Sequence, residues 1–210
     1  MKPADRFELF RRLQAATPHP TTELHYANPF QLLVAVILSA QATDKSVNLA
    51  TAPLFRSVKT PADLLAFGQE RFESAIRTIG LYRTKARNVL ATARILEEQF
   101  GGQVPDRRDA LESLPGVGRK TANVVLNTAF GQATIAVDTH IFRVANRTGL
   151  APGNTPLAVE TKLLKAVPPE FRKDAHHWLI LHGRYVCRAR NPDCGHCILL
   201  DLCGYGAKHV

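Results

Sequence analysis

Apolar residues along this chain recur at the spacing of helices and almost nowhere in the alternation of strands. Asn28-Pro29 supplies an N-cap and a first helical residue, after which Phe30, Leu33, Val34, Ile37 and Leu38 fall at helical intervals. Thr60-Pro61-Ala62-Asp63 repeats the device with a capping box, and Thr155-Pro156 and Asp174 read as further helix starts. Val89, Ala93 and Leu96 continue the pattern in a helix that should end before Gly101-Gly102. The strand-like run Thr134-Ile135-Ala136-Val137 is too short for a sheet and reads as an extended connector ending at Asp138. The pattern predicts an all-α protein whose helices are joined by short turns.

Composition adds bounds. With 210 residues, 45% of them hydrophobic, the chain has material for a proper core in one domain or two small ones. Met1 to Arg6 leads into a charged helical pattern without the apolar stretch of a targeting segment, and the apolar run Phe30 to Ala40 is too short for a bilayer, so a cytoplasmic protein is expected. The formal net charge of +9 favours a polyanion as partner, with nucleic acid foremost, because surplus Lys and Arg attract it without any specific contact. Charge alone fits an ordinary basic protein equally well, so the motifs decide.

Leu114-Pro115-Gly116-Val117-Gly118-Arg119-Lys120-Thr121 joins a short helix from about Asp109 to a second one reaching about Phe130. Gly116 and Gly118 permit positive φ and the close approach of a foreign backbone, while the amides opening the second helix point where its dipole favours an anion. Such a helix-hairpin-helix grips a DNA phosphate without reading sequence. A nucleotide-binding P-loop is excluded, since it needs Gly directly before Lys and a preceding strand, whereas Arg119 and a helix stand there. On the second helix, Ala122, Val125, Leu126 and Ala129 form the buried stripe, and Lys120, Asn123 and Asn127 fall on another face. Lys120 is therefore expected to face a cleft or solvent.

A helix from Lys120 to Ala129 rises about 14 Å and the stretch Gln132 to Asp138 extends roughly 20 Å, so the chain has the reach to bring Asp138 back towards Lys120. Asp138 is also a natural N-cap for a helix over Thr139 to Arg147, and the two roles are compatible.

All four cysteines lie near the C-terminus, spaced Cys187-x6-Cys194-x2-Cys197-x5-Cys203, with Cys187 closing a helix from Ala175 to Val186. Four thiolates in one compact segment suit a tetrahedral zinc or a [4Fe–4S] cubane. A zinc ribbon usually shows two separated Cys-x2-Cys knuckles, and one close pair is present here, which tilts the spacing towards iron and sulfide.

Across essentially its whole length the chain resembles the bacterial endonuclease III family of helix-hairpin-helix DNA glycosylases. The resemblance runs through Pro29-Phe30 with Leu32-Leu33, Ser39-Ala40-Gln41-Ala42-Thr43-Asp44, Thr78-Ile79-Gly80-Leu81-Tyr82, the hairpin from Leu114 to Asn123, Ile135-Ala136-Val137-Asp138-Thr139-His140, and the cysteine spacing. It implies two helical lobes: a six-helix barrel over residues 22–132, and a cluster domain from 1–21 with 133–210, DNA lying in the groove between them. It implies a monomer acting on double-stranded DNA that carries damaged pyrimidines or abasic sites. Lys120 matches the family nucleophile, Asp138 its essential carboxylate, and Cys187, Cys194, Cys197 and Cys203 the ligands of its [4Fe–4S] cluster. The DNA contacts fall to Gln41 and Leu81, which fill the hole left in the duplex, to Gly116, Val117, Gly118 and Arg119 of the hairpin, and to Arg188 and Arg190 of the cluster loop. Asp193 in that loop departs from its basic character.

The implied chemistry accounts for the residue types. A base stacked in a duplex must be flipped out before a side chain reaches its sugar. An amine that attacks C1′ expels the base and forms a Schiff base, and only that iminium acidifies C2′ enough for β-elimination to break the strand. A monofunctional glycosylase of the adenine-specific kind would lack the lysine and carry a glutamate in the helix before Ser39-Ala40-Gln41, where Phe30 to Leu38 has no acid. A DNA-binding redox sensor without catalysis is the reading from another class, and a strand-cleavage assay separates it.

Overall fold

The computed structural model describes residues 1–208. Among them every regular element is helical: α1 (Pro3–Ala16), α2 (Pro29–Leu38), α3 (Asp44–Leu54), α4 (Pro61–Phe67), α5 (Gln69–Ala75), α6 (Tyr82–Phe100), α7 (Arg108–Glu112), α8 (Arg119–Phe130), α9 (Thr139–Thr148), α10 (Pro156–Ala166) and α11 (Ala175–Tyr185), with a 3-10 turn at Pro169–Phe171. The chain divides into two compact units, the continuous Glu23–Phe130 and the discontinuous Met1–Thr22 with Gly131–Val210. No helix among the described residues is long and apolar enough to cross a membrane.

The continuous unit is built around α2. Its residues Phe30 to Leu38 are all buried, as expected for a helix that is apolar on every side. Asn28 caps it by accepting the amide of Gln31, and the buried Gln31 side chain is satisfied in turn by Phe55 O, Val58 O and the amide of Ala27. Thr60 and Asp63 form the expected capping box at α4. Gly68, at φ 84° and ψ 155°, then breaks the run so that α5 starts afresh. Val89, Ala93 and Leu96 of α6 are buried against this core, and Gly101 ends α6 in the left-handed conformation.

In the discontinuous unit Phe10, Phe171 and Trp178 pack as an aromatic cluster, and Trp178 Nε1 donates to Thr17 O at 2.8 Å. Thr155 caps α10 through the amide of Ala158. Asp174 precedes α11 but makes no side-chain cap, since its backbone is already helical at φ −99° and ψ −9°. The helices α9 and α11 cross closely at Gly183, where a Cβ would stand 2.9 Å from His140 Cβ and 3.0 Å from His140 O.

Candidate nucleic-acid interface and metal centre

The hairpin between α7 and α8 is held from beneath by α6. Thr92 Oγ1 donates to Pro115 O at 3.0 Å, and Leu114 and Val117 sink into the core. Val117 also donates its amide to Leu114 O at 3.1 Å, so any anion contact at the hairpin falls to the exposed residues beyond it, Gly118 to Lys120. The two glycines have different reasons. Gly116 adopts φ +79°, and a Cβ there would lie 3.1 Å from Cβ and Nδ2 of Asn88, so the fold itself requires it. Gly118 has nothing within 4 Å of an added Cβ and faces open space.

Lys120 occupies the first turn of α8, exposed and without a hydrogen bond or ion pair among the described residues. No acid shares that turn. Lys120 is exposed as expected, while Asn123 and Asn127 on the same face are 1% and 4% exposed, and both make polar contacts. Oδ1 of Asn123 is nevertheless buried without a hydrogen-bond partner, whereas Lys120, one turn earlier, stays exposed.

Gln41 and Leu81 are both exposed, and both sit in the left-handed region, at φ 56° and 59°. For a leucine this is a rare conformation. Leu81 precedes α6 directly and is 67% exposed, while Gln41 follows the α2 terminus in a turn closed by the Ala42 amide on Ser39 O. The two turns meet through Lys85, a buried residue of α6 whose Nζ donates to Leu38 O at 2.9 Å.

Asp138 is half-buried in the discontinuous unit and caps α9, its Oδ1 accepting the amides of His140 at 2.9 Å and Ile141 at 2.8 Å. Lys120 belongs to the continuous unit.

Cys187, Cys194, Cys197 and Cys203 line one pocket, together with Val186, Pro192, Leu199 and His182. Four soft sulfur donors converging on one pocket fit an iron–sulfur cluster. Burial holds His182 down at a pKa of about 4, so its imidazole is neutral, and its Nε2 lies 3.8 Å from Cys197 Sγ.

Two arginines one turn apart on α9 organise this segment, and nothing in the sequence marks them. Arg143 donates to Cys187 O at 2.8 Å and Gly183 O at 2.7 Å. Arg147 reaches Cys187 Sγ at 3.7 Å, Arg188 O at 2.7 Å and Ala189 O at 3.1 Å, and its guanidinium lies over the Tyr205 ring. The loop they hold presents Arg188 and Arg190 exposed. Asp193, the departure in that loop, is paired with His196 at 2.9 Å.

A helical frame with a glycine-turn hairpin and a four-cysteine pocket fits the class of DNA-binding iron–sulfur proteins, and comparison with known proteins makes the class specific. Residues 34–169 match the family profile described as HhH-GPD superfamily base excision DNA repair protein, and residues 187–203 match the iron-sulfur binding domain of endonuclease III. Endonuclease III of Escherichia coli (strain K12) is 62% identical over 208 residues, and that of Haemophilus influenzae 60% identical, each alignment covering 99% of both chains. The solved structure of a trapped Endonuclease III–DNA covalent intermediate superposes with a TM-score of 0.89 at 45% identity, covering 97% of this chain and 96% of that one. The chain belongs to the HhH-GPD superfamily of base excision DNA repair proteins and, within it, to the endonuclease III family. Its cofactor is a [4Fe–4S] cluster, and the matched segment 187–203 is the one that carries the four cysteines.

Proposed function

We propose that this chain excises oxidised or ring-damaged pyrimidines from duplex DNA and then cleaves the abasic strand, with Lys120 as nucleophile and Asp138 as the supporting carboxylate. The observation that carries the reading is Lys120: an amine in the first turn of the hairpin helix, exposed, with no carboxylate engaging it and no acid in its turn.

The hairpin takes hold of a phosphate at Gly118 to Lys120, and the exposed Gln41 and Leu81 enter the stack as the damaged nucleotide leaves it. Nζ of Lys120 attacks C1′, the C1′–N bond breaks with its electron pair going to the base, and the base leaves protonated. That proton comes from Nζ, and the C1′–O4′ bond then breaks, O4′ taking a proton from water, to give the Schiff base. A proton then leaves C2′, and the electrons expel the 3′ phosphate. Asp138 stabilises the positive charge that develops on the sugar as the base departs, and Oδ2, which its capping role leaves unused, is the oxygen for that task. The [4Fe–4S] cluster orders the loop that carries Arg188 and Arg190, which bind phosphate. Acting on chromosomal DNA, the protein is expected in the nucleoid.

Incubation with an abasic duplex and borohydride tests the reading. A reduced protein–DNA adduct whose peptide map ends on Lys120 supports it, and base release without any trapped adduct replaces it with a monofunctional mechanism.

A further inference from the structure

Lys85 is a buried cation that the chemistry above does not use. Its side chain is 6% exposed, it forms no ion pair among the described residues, and its Nζ makes one hydrogen bond, to Leu38 O. Filling that space does not need an ammonium, since an unbranched apolar side chain of similar length would do so without giving up the hydration of a charge. What the ammonium adds is a link between two chain segments far apart in sequence. Leu38 ends α2, where carbonyls lack intrahelical partners and the dipole favours a cation. Lys85 stands in the first turn of α6, its own amide bonded to Leu81 O at 3.0 Å.

Each end of the link adjoins a strained turn. Gln41 follows Leu38 by three residues, and Leu81 precedes Lys85 by four. Gln41, Leu81 and Asn191 are the non-glycine residues with positive φ among those described, so two of these three flank one hydrogen bond. Such conformations persist only where the surroundings over-determine them.

We propose that Lys85 is a positioning residue for lesion recognition: by tying the end of α2 to the start of α6, it fixes the Gln41 and Leu81 turns at one spacing, so that their side chains enter the DNA stack as a pair. The inference rests on the reading of Gln41 and Leu81 as the residues that enter the stack. Its effect falls on the step before chemistry, when a nucleotide must leave a duplex. An abasic site in single-stranded DNA has no base to displace and makes no such demand.

The test is a ratio, measured in single turnovers with the intact, cluster-loaded protein: base release from a duplex carrying one ring-saturated pyrimidine, against cleavage of a single-stranded abasic oligonucleotide. Lys85→Met lowers this ratio at least tenfold, and Lys85→Arg, which keeps charge and donor, recovers most of it. A residue needed only for folding would lower both rates together, and parallel loss, or a ratio within twofold of wild type, overturns the proposal. Should Lys85→Met fail to fold, Lys85→Gln carries the same comparison with the same expected fall. Leu81→Ala separates the two layers of argument. If it leaves the ratio at the wild-type value, the stack-entry reading is wrong; if it lowers the ratio while the Lys85 variants do not, the link alone is wrong.

Discussion

The amide of Ile141 donates to Oδ1 of Asp138 at 2.8 Å, and the neighbouring amide of His140 uses the same oxygen, so one half of this carboxylate builds the helix while the other makes no hydrogen bond among the described residues. Asparagine keeps an acceptor for the cap and deletes only the charge. Asp138→Asn is therefore expected to melt close to wild type and to bind duplex at least as tightly, while base release slows by about 10² to 10³, the equivalent of roughly 3–4 kcal/mol of lost electrostatic stabilisation. Asp138→Ala loses the cap as well and should unfold about 1 kcal/mol more easily. Denaturant titration beside single-turnover kinetics distinguishes the pair; equal kinetics for Asp138→Asn and wild type would remove Asp138 from the chemistry.

Lys120 is exposed in the first turn of α8, and Lys120→Gln should change stability by less than about 0.5 kcal/mol. The same substitution abolishes the borohydride-trapped adduct on abasic DNA and preserves duplex binding, because it removes the amine at similar side-chain length. Trapping at the wild-type rate would assign the nucleophile to another amine.

The hairpin glycines give a contrast within three residues. Gly116→Ala forces a side chain into φ +79° and against Asn88, so it should destabilise the protein by about 1 kcal/mol or more. Gly118→Ala has no atom within 4 Å of the added Cβ and should fold normally, yet weaken binding to damaged and undamaged duplex alike, because the added methyl stands at the proposed phosphate contact. A salt titration in which Gly118→Ala matches wild type at every ionic strength would show that no phosphate comes there.

The cluster loop depends on α9 as much as on its thiolates. Arg147→Leu removes the donors to Arg188 O, Ala189 O and Cys187 Sγ, and should raise the Kd for every duplex while leaving lesion preference unchanged. Iron and sulfide analysis of the wild-type protein should return a cluster, and Cys194→Ser should lose both iron and stability. Zinc in place of iron would refute the cluster.

What the sequence made legible was local. Caps announce themselves by residue type, so the starts of α2, α4, α9 and α10 could be read from Asn28, Thr60, Asp138 and Thr155 before any contact was known. The cysteines, the hairpin and the family resemblance marked the chemistry in the same way. Hidden were the residues whose meaning is made by tertiary contact. Lys85 looks like any surface lysine of an amphipathic helix until its ammonium is found beneath Leu38 O, and Arg143 and Arg147 look like solvated charges until the cysteine segment folds over them. Gln41 and Leu81 carry no glycine to announce a left-handed backbone. Helical periodicity reports polarity and not exposure, so it does not reveal that Asn123 and Asn127, on the face of Lys120, are buried.

The order in which the chain is synthesised bears on the discontinuous unit. Residues 23–130 hold all the partners of their own core and can collapse as soon as they leave the ribosome. Helix α1 emerges earlier but cannot finish: Phe10 waits for Trp178, Thr17 O for the indole of the same residue, and Arg12 for Asp201, which is 189 positions away. During translation, then, the apolar face of α1, formed by Leu9, Phe10 and Leu13, stays uncovered while the residues after it fold, and contacts of such sequence separation form slowly. The unit that contains the cysteine segment is therefore complete only once Phe10, Arg12 and Thr17 have met Trp178 and Asp201.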